Sequence, residues 1–574
     1  MNFSSTLSVL LVFSTLLGIP RMGVGAELCL VNANVFDGHA ALGKAHIALE
    51  HGRIVYVGAD LGEVQCKETI DLQGKWVIPG LIDSHIHFFQ SASLYTRPDI
   101  IDGRELMSYE EDQDYVRKYL PETFRRYLAS GVTAVVDMGG PFWNFSVREQ
   151  SLTTKGAPAV AVAGPLISTV SRPQLDLGDP PIIQATSPAH ATELVNAQLK
   201  QNPDLIKVWF IVPEEGDLTQ PLKIFDAVVA ASHKAGVRVA VHATQYAAAT
   251  ACVEHGADIL VHTVDDREVD QAFIDLLKTN DVTLVTTAVV YEGYAEVLGG
   301  SVELSDIERA LASPNALNSF AEFPFVVTTK TERERQAGRV TAMRAKLPTI
   351  LKNIRTLWKG GVRVAAGSDA GNIGTFHGPS LHRELELLVE AGLSPAEAIT
   401  AATANAAWVV RDKPDFGRIG VGQRGDLLVL NASPLENIAH TTTIQAVVRN
   451  GVWHAGRELF SSTPEALVER QLQAYNKRDI NGFIECYAED VIIDSIVPGR
   501  PPMVGRKAMQ ETYYSLFEKS PNLHARVTNR IVSGNFVIDH ELVTGLRAGP
   551  PVRAVAVYRV ENGLIQQVWF IPKE

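Results

Sequence analysis

Trp76-Val77-Ile78-Pro79-Gly80-Leu81-Ile82-Asp83-Ser84-His85-Ile86-His87 is the stretch on which the reading of this chain turns. An apolar run that restarts after Pro79-Gly80 has the pattern of a buried strand. Side chains of a strand alternate faces, so His85 and His87 project together while Ile86 points the other way. Two imidazoles at the end of a buried strand are costly unless something binds them, and zinc or a similar divalent ion is the usual occupant. A lone His-x-His pair decides little. The weight comes from what the rest of the chain places at the ends of its other strands.

Downstream, strand patterns alternate with helical ones, which predicts parallel βα units. The strands centre on Val132–Val136, Ala159–Ala163, Leu205–Phe210, Arg238–His242, Ile259–His262, Val282–Val285 and Arg363–Asp369. With the first strand they make eight, the count of a closed (β/α)8 TIM barrel whose site lies at the strands' C-terminal ends. His85, His87, Lys207, His242, His262 and Asp369 all fall there. Lys207 is conspicuous, because an ammonium ion in an apolar strand is expensive without a partner. The segment Tyr291–Ile350 is too long for a simple connection, and its helical patterning predicts an insertion over the barrel mouth.

On either side of the barrel the pattern changes. Residues 27–78 carry short β patterns broken by Gly, Asn and Asp, and similar material returns in 417–460. The two pieces are expected to pair into one small β-sandwich flanking a barrel of residues 79–416. Residues 463–574 form a further unit, with amphipathic helices at Ala466–Asn476 and Ile480–Tyr487 and a β-rich tail from Val527 to Phe570. The whole is an α/β protein with a C-terminal α+β, cone-shaped domain.

The apolar run Leu7–Leu17, the break at Pro20 and the small residues Val24-Gly25-Ala26 read as a signal peptide of residues 1–26, too short for a membrane span. The expected address is therefore exported, periplasmic or secreted, without a stable membrane anchor. Only the α-amino group supplies positive charge before the apolar run, the one departure from the signal pattern. A net charge of −13 and the lack of any basic run exclude nucleic acid as a partner. Four widely spaced cysteines form neither a disulfide framework nor a zinc knuckle, and leave a Cys29–Cys66 bridge open.

The pieces Pro79–His87, Ile206-Lys207, Val241-His242-Ala243, Val261-His262 and Gly367-Ser368-Asp369-Ala370-Gly371 together resemble the amidohydrolase superfamily over Glu27–Phe460. The run Ser380–Gly392 resembles its imidazolonepropionase-like and Xaa-Pro dipeptidase-like branch. The resemblance implies a binuclear hydrolase that cleaves a C–N bond of an amide or small peptide through a metal-bridging hydroxide. His85, His87 and Asp369 would hold one divalent ion, His242 and His262 a second, both zinc. A CO2-derived carbamate on Lys207 would bridge them, and Asp369 would act as general base and acid. Arg172, Tyr291, His377 and His382 are candidate substrate contacts. Where peptidase-like members carry Gly-Gly-His after the third strand, this chain reads Gly164-Pro165-Leu166, which leaves dipeptide specificity open. A lactonase or other ester hydrolase on the same site, and a non-catalytic ligand-binding protein, are the alternatives. Gln473–Asp479, Cys486–Val491 and Met503–Arg506 resemble SnoaL-like, ketosteroid isomerase-like domains. The position of an isomerase's base is Ser495, which favours a binding role or homodimer formation for this domain.

Overall fold

The computed structural model describes residues 25–213, 216–459, 463–495, 501–546 and 549–572. Strands β1 (Gly25–Phe36), β2 (Ala41–Glu50), β3 (Arg53–Gly58), β4 (Gln65–Asp71) and β5 (Trp76–Pro79) open the chain. They join β16 (Leu427–Leu430), β17 (Ile444–Arg449) and β18 (Val452–Ala455) in one eight-stranded sheet, the late strands pairing through β16 with β5. Leu30, Val35, Ile47, Val77, Leu427, Val429 and Val448 meet in its core. Cys29 and Cys66 form a disulfide between β1 and β4. Most of the expected leader lies outside the described residues; Gly25 and Ala26 already belong to β1, paired with Gln65 and Cys66.

Between these pieces run β6 (Leu81–Ile86), β7 (Val132–Asp137), β8 (Ala159–Val162), β9 (Leu166–Ser168), β10 (Ile182–Gln184), β11 (Leu205–Trp209), β12 (Arg238–His242), β13 (Ile259–Val261), β14 (Thr283–Val285) and β15 (Arg363–Ala365). All pair in parallel, in the orders β6-β7-β8 and β10-β9-β11-β12-β13-β14-β15. The third barrel strand is bent: Gly164-Pro165 breaks it into β8, which faces β7, and β9, which faces β11. Proline cannot donate to the ladder, so the strand breaks there. At the other seam Ser84 N–H donates to Ala366 O at 3.1 Å and Asp369 N–H to His85 O at 2.7 Å. These bonds join the last strand to the first. Small and branched residues (Ile82, Ala134, Val136, Leu205, Ala240, Val261, Val285 and Ala365) fill the interior, as expected of a packed barrel centre.

The insertion is helical, from Val289–Leu298 through short helices to the long Lys330–Lys359. Thr329 caps the long helix, accepting from Glu332 N–H, while the Glu332 side chain reaches back to the cap's own N–H. Among the described residues no helix is long and apolar enough to cross a membrane.

In the C-terminal domain the helices Pro464–Lys477, Ile480–Glu485 and Arg506–Glu518 cover a six-stranded sheet. It comprises β19 (Tyr487–Ser495), β20 (Met503–Val504), β21 (His524–Ser533), β22 (Phe536–Thr544), β23 (Val552–Glu561) and β24 (Leu564–Pro572). The second helix is shorter than its pattern predicts, because Tyr487 begins β19 and packs into the core beside Phe483. The side chain of Ser495 lies outside the described residues.

Candidate metal centre and active site

Regular alternation brings two of the site residues inward. Leu205 belongs to the barrel interior while Ile206 and Val208 pack against the surrounding helices, so Lys207 and Trp209 face the centre. By the same rule Ala240 and His242 of β12 face inward.

The others need local irregularity. Ile82 is interior and Ile86 packs outward against Phe88 and Phe124. Strict alternation from Ile82 would turn His85 and His87 away from the centre. A register shift between Asp83 and Ile86 reverses the phase and brings both histidines in. Val261 is interior, so His262 would point outward; its φ of 68° swings it back. Asp369 sits at φ 59° and Thr287 at φ 137°. Three non-glycine residues in the left-handed region around one point mark stored strain of the kind that clusters at functional sites. Gly367 permits the closest approach: a Cβ there would lie 2.8 Å from His85 Cβ.

The result is a tight cluster. His85 Nε2 and His87 Nε2 are 3.2 Å apart, and lie 3.4 and 3.3 Å from Asp369 Oδ1. The rings of His242 and His262 are 4.4 Å apart between centroids, and those of His85 and His262 5.0 Å. His85, His262 and Asp369 can direct one ligand atom each into a common space. Burial holds His85, His242 and His262 below the ordinary imidazole range, His262 at about 3, so all three are neutral and able to ligate. Burial also lowers the Lys207 ammonium to about 7, against the attraction of Asp369. Burial opposes the Asp369 carboxylate, but the contacts of His85 and His87 outweigh it and hold the group well below its usual range.

Partners on the second layer fix the rings. Gly139 O faces His87 Nδ1 at 2.7 Å, and the Thr287 hydroxyl faces His262 Nδ1 at 2.6 Å. Buried Glu384 in turn accepts from the Thr286 hydroxyl and from the N–H groups of Thr287 and Val289. Lys207 Nζ, His85 Nδ1 and Asp369 Oδ1 are buried without a hydrogen-bond partner. The imidazoles of His85 and His262 and the Asp369 carboxylate fit a divalent ion.

Above the cluster opens a cavity of about 260 Å³. Its walls are largely apolar, with Phe89, Leu166, Trp209, Val290, Tyr291 and Met343 among them. Tyr291 lies on this wall, its hydroxyl donating to Asp265 at 2.7 Å. Arg172 sits behind it, its guanidinium 4.8 Å above the Trp209 ring and 3.5 Å from Asp99. His377 and His382 do not line the cavity. His377 is held between Tyr127 and Gln90 O, His382 between Thr441 and Ser130 O, with both nitrogens of each ring occupied. With these bonds they brace the wall of the barrel. The sequence reading passed over Arg97, which reaches the cavity from the loop after β6. It is paired bidentately with Asp99 and donates to Asn372 Oδ1 at 3.1 Å. It also passed over Trp209, although a position two beyond Lys207 in one strand shares its face.

Comparison with known proteins agrees with this geometry. Residues 76–454 match the amidohydrolase family and residues 468–568 the SnoaL-like domain. An imidazolonepropionase of Deinococcus deserti is 25% identical over 72% of this chain and 92% of its own length. One from Rubrobacter xylanophilus is 41% identical, but over 17% of this chain and only 24% of its own length. Among solved structures, ochratoxinase of Aspergillus niger aligns over 75% of this chain and 96% of its own, with a TM-score of 0.57 and 20% identity. A putative prolidase from Bifidobacterium longum aligns over 75% and 95%, with a TM-score of 0.55 and 24% identity. On the strength of the family match across the composite sheet and the barrel, the chain belongs to the amidohydrolase family and carries a C-terminal SnoaL-like domain.

Proposed function

We propose that the protein is an exported, metal-dependent hydrolase that cleaves a C–N bond in an amide or small peptide. The observation that carries this reading is the meeting of His85, His87, Lys207, His242, His262 and Asp369 at one end of the barrel, beneath a largely apolar cavity. His85, His87 and Asp369 would hold one divalent ion and His242 and His262 a second, with zinc the best match to the imidazole-rich set. Lys207, neutral above about pH 7 because of its burial, would react with CO2 to give the carbamate between them. The bound ions would supply Lewis acidity and lower the pKa of water.

The rest of the chemistry falls to the chain. Asp369 takes the proton of the attacking water on a carboxylate oxygen and returns it to the leaving nitrogen. Tyr291, Trp209 and Phe89 bind the apolar part of the substrate and exclude bulk water. Arg97 and Arg172 share the single carboxylate of Asp99, so one positive charge is left over toward a substrate carboxylate. Names of relatives such as imidazolonepropionase, ochratoxinase and prolidase support hydrolysis of amide-type bonds. The Cys29–Cys66 disulfide supports an oxidising compartment.

The test is to strip and reload the protein with zinc while screening N-acyl amino acids, dipeptides and lactones. Two ions per chain and metal-dependent amide hydrolysis are expected. Full turnover by metal-free protein would overturn the reading, and turnover of lactones alone would move it to ester hydrolysis. In Lys207→Ala the metal content should fall, and a short carboxylic acid should partly restore it.

A further inference from the structure

A second cavity lies inside the C-terminal domain, remote from the metal ligands. It encloses about 430 Å³ between the helices and the inner face of the sheet. Tyr475, Phe483, Tyr487, Tyr513, Tyr558 and Phe570 present aromatic rings to it. Its polar end is a relay of buried side chains. Tyr487 OH donates to Gln471 Oε1 at 2.8 Å, Gln471 Nε2 to Tyr558 OH at 3.2 Å, and Tyr558 OH to Glu541 Oε1 at 3.0 Å. Every donor in the relay points toward Glu541, so the chain of bonds ends on a carboxyl 8% exposed.

Among the described residues the charges around this carboxyl do not balance. Arg530 is already spent on Asp539, through two bonds of 2.7 Å, and on Glu469 at 2.8 Å. One guanidinium thus serves two carboxylates on the floor of the domain. Among the described residues that line the cavity there is no lysine or arginine. Burial, with Asp539 adding to it, pushes the Glu541 carboxyl up to about 7. A carboxylate in this position has no counter-ion among the described lining residues, and the surrounding ring faces attract positive charge through their quadrupoles.

We infer that this cavity is a binding site for a hydrophobic amine, whose ammonium group pairs with Glu541 and whose apolar body lies among the aromatic rings. An anionic ligand would be repelled by the Glu541 carboxylate, and a neutral one would give that carboxylate no charge partner. Phe483, Tyr513 and Tyr475 pack on one another, with ring centroids 4.7 to 6.3 Å apart, and so form a preset wall that needs little ordering.

The experiment is isothermal titration of the full-length protein with phenethylamine, phenethyl alcohol and phenylacetate. The three probes share an aromatic body and are cationic, neutral and anionic. Phenethylamine is expected to bind about tenfold or more tighter than the alcohol, the scale of a desolvated cation–π contact, and phenylacetate not at all. Glu541→Gln, which keeps the shape and removes the charge, should abolish the preference for the amine. Thr512→Trp, at the exposed rim of the cavity, should block binding without touching the acid. Equal or tighter binding of the alcohol would overturn the inference. So would a failure of every probe to bind, or amine binding that both substitutions leave unchanged.

Discussion

In the proposed function, Asp369 carries the heaviest chemical demand of any single residue in the barrel. It lies 3.3 to 3.4 Å from two imidazoles, in a left-handed backbone conformation, with one carboxylate oxygen lacking a hydrogen-bond partner. A group that moves a proton in the transition state contributes about 10²–10⁴-fold to the rate. Asp369→Asn is therefore expected to lower kcat by about that factor with a much smaller change in KM. Steady-state kinetics at matched metal occupancy would check it, and equal small changes in both would confine Asp369 to positioning. Glu541 gives a prediction of a different kind. Its folded pKa, about 7, lies above the ordinary 4.5, so between these values the folded state holds a proton that the unfolded chain has lost. Stability contributed by this group is then lost as pH rises through that window. Thermal melts at pH 5 and pH 8 should show a larger fall for the wild-type protein than for Glu541→Gln. A parallel fall in both would mean that Glu541 titrates in its normal range.

At the scale of elements, the barrel ends are shaped by what braces them. The turn after β14 is held by Glu384 from the helix Ser380–Glu390, and Thr287 in that turn fixes the ring of His262. Outer-layer partners of metal ligands typically govern about 10–100-fold in metal affinity. Glu384→Gln should weaken zinc binding by a factor in that range while leaving the fold intact. Competition with a chromophoric chelator would measure it, with circular dichroism to confirm folding. Thr287→Val should do the same by a shorter route, because it removes the hydroxyl that faces His262. Unchanged affinity in both variants would show that His262 is oriented by packing alone.

Across the whole molecule, the C-terminal domain touches the roof of the barrel at a defined point. Glu322 of the insertion accepts from Tyr95 OH and from Arg526 of β21. The Arg526 guanidinium also lies 4.9 Å above the Phe325 ring. Tyr95 belongs to the same loop as Arg97, which reaches the substrate cavity. The domain thus buttresses a segment of the active-site wall from outside. Arg526→Ala should raise KM for a carboxylate-bearing substrate severalfold, with metal content and the melting temperature of the barrel little changed. A drop in metal content would instead tie the domain to the metal site itself. The domain also exposes Ile531, Phe536 and Ile571 on its sheet. Homodimer formation through this sheet remains our proposal for its outer face, to be read from the mass of the protein in solution.

Much of the plan was legible in the residues themselves. The alternation of apolar strands with helical segments announced the barrel, because parallel strands buried on both faces need unbroken apolar runs. The residue types at the strand ends marked the candidate site, since histidines, an aspartate and a lysine are too polar to sit there idle. Lys207, Trp209 and His242 even faced inward by simple alternation. The remainder depended on tertiary structure. No pattern of residues reveals the bulge that turns His85 and His87 inward, or the left-handed backbone that rescues His262. Each exists because distant strands and Gly367 impose it. His377 and His382 looked like substrate contacts beside the mouth, yet Tyr127, Gln90, Thr441 and Ser130, all distant in sequence, saturate their rings. Arg97 lay in an unpatterned loop, and only the folded barrel carries that loop over the cavity. Local sequence determined which chemistry is present, while long-range packing decided which way each group points.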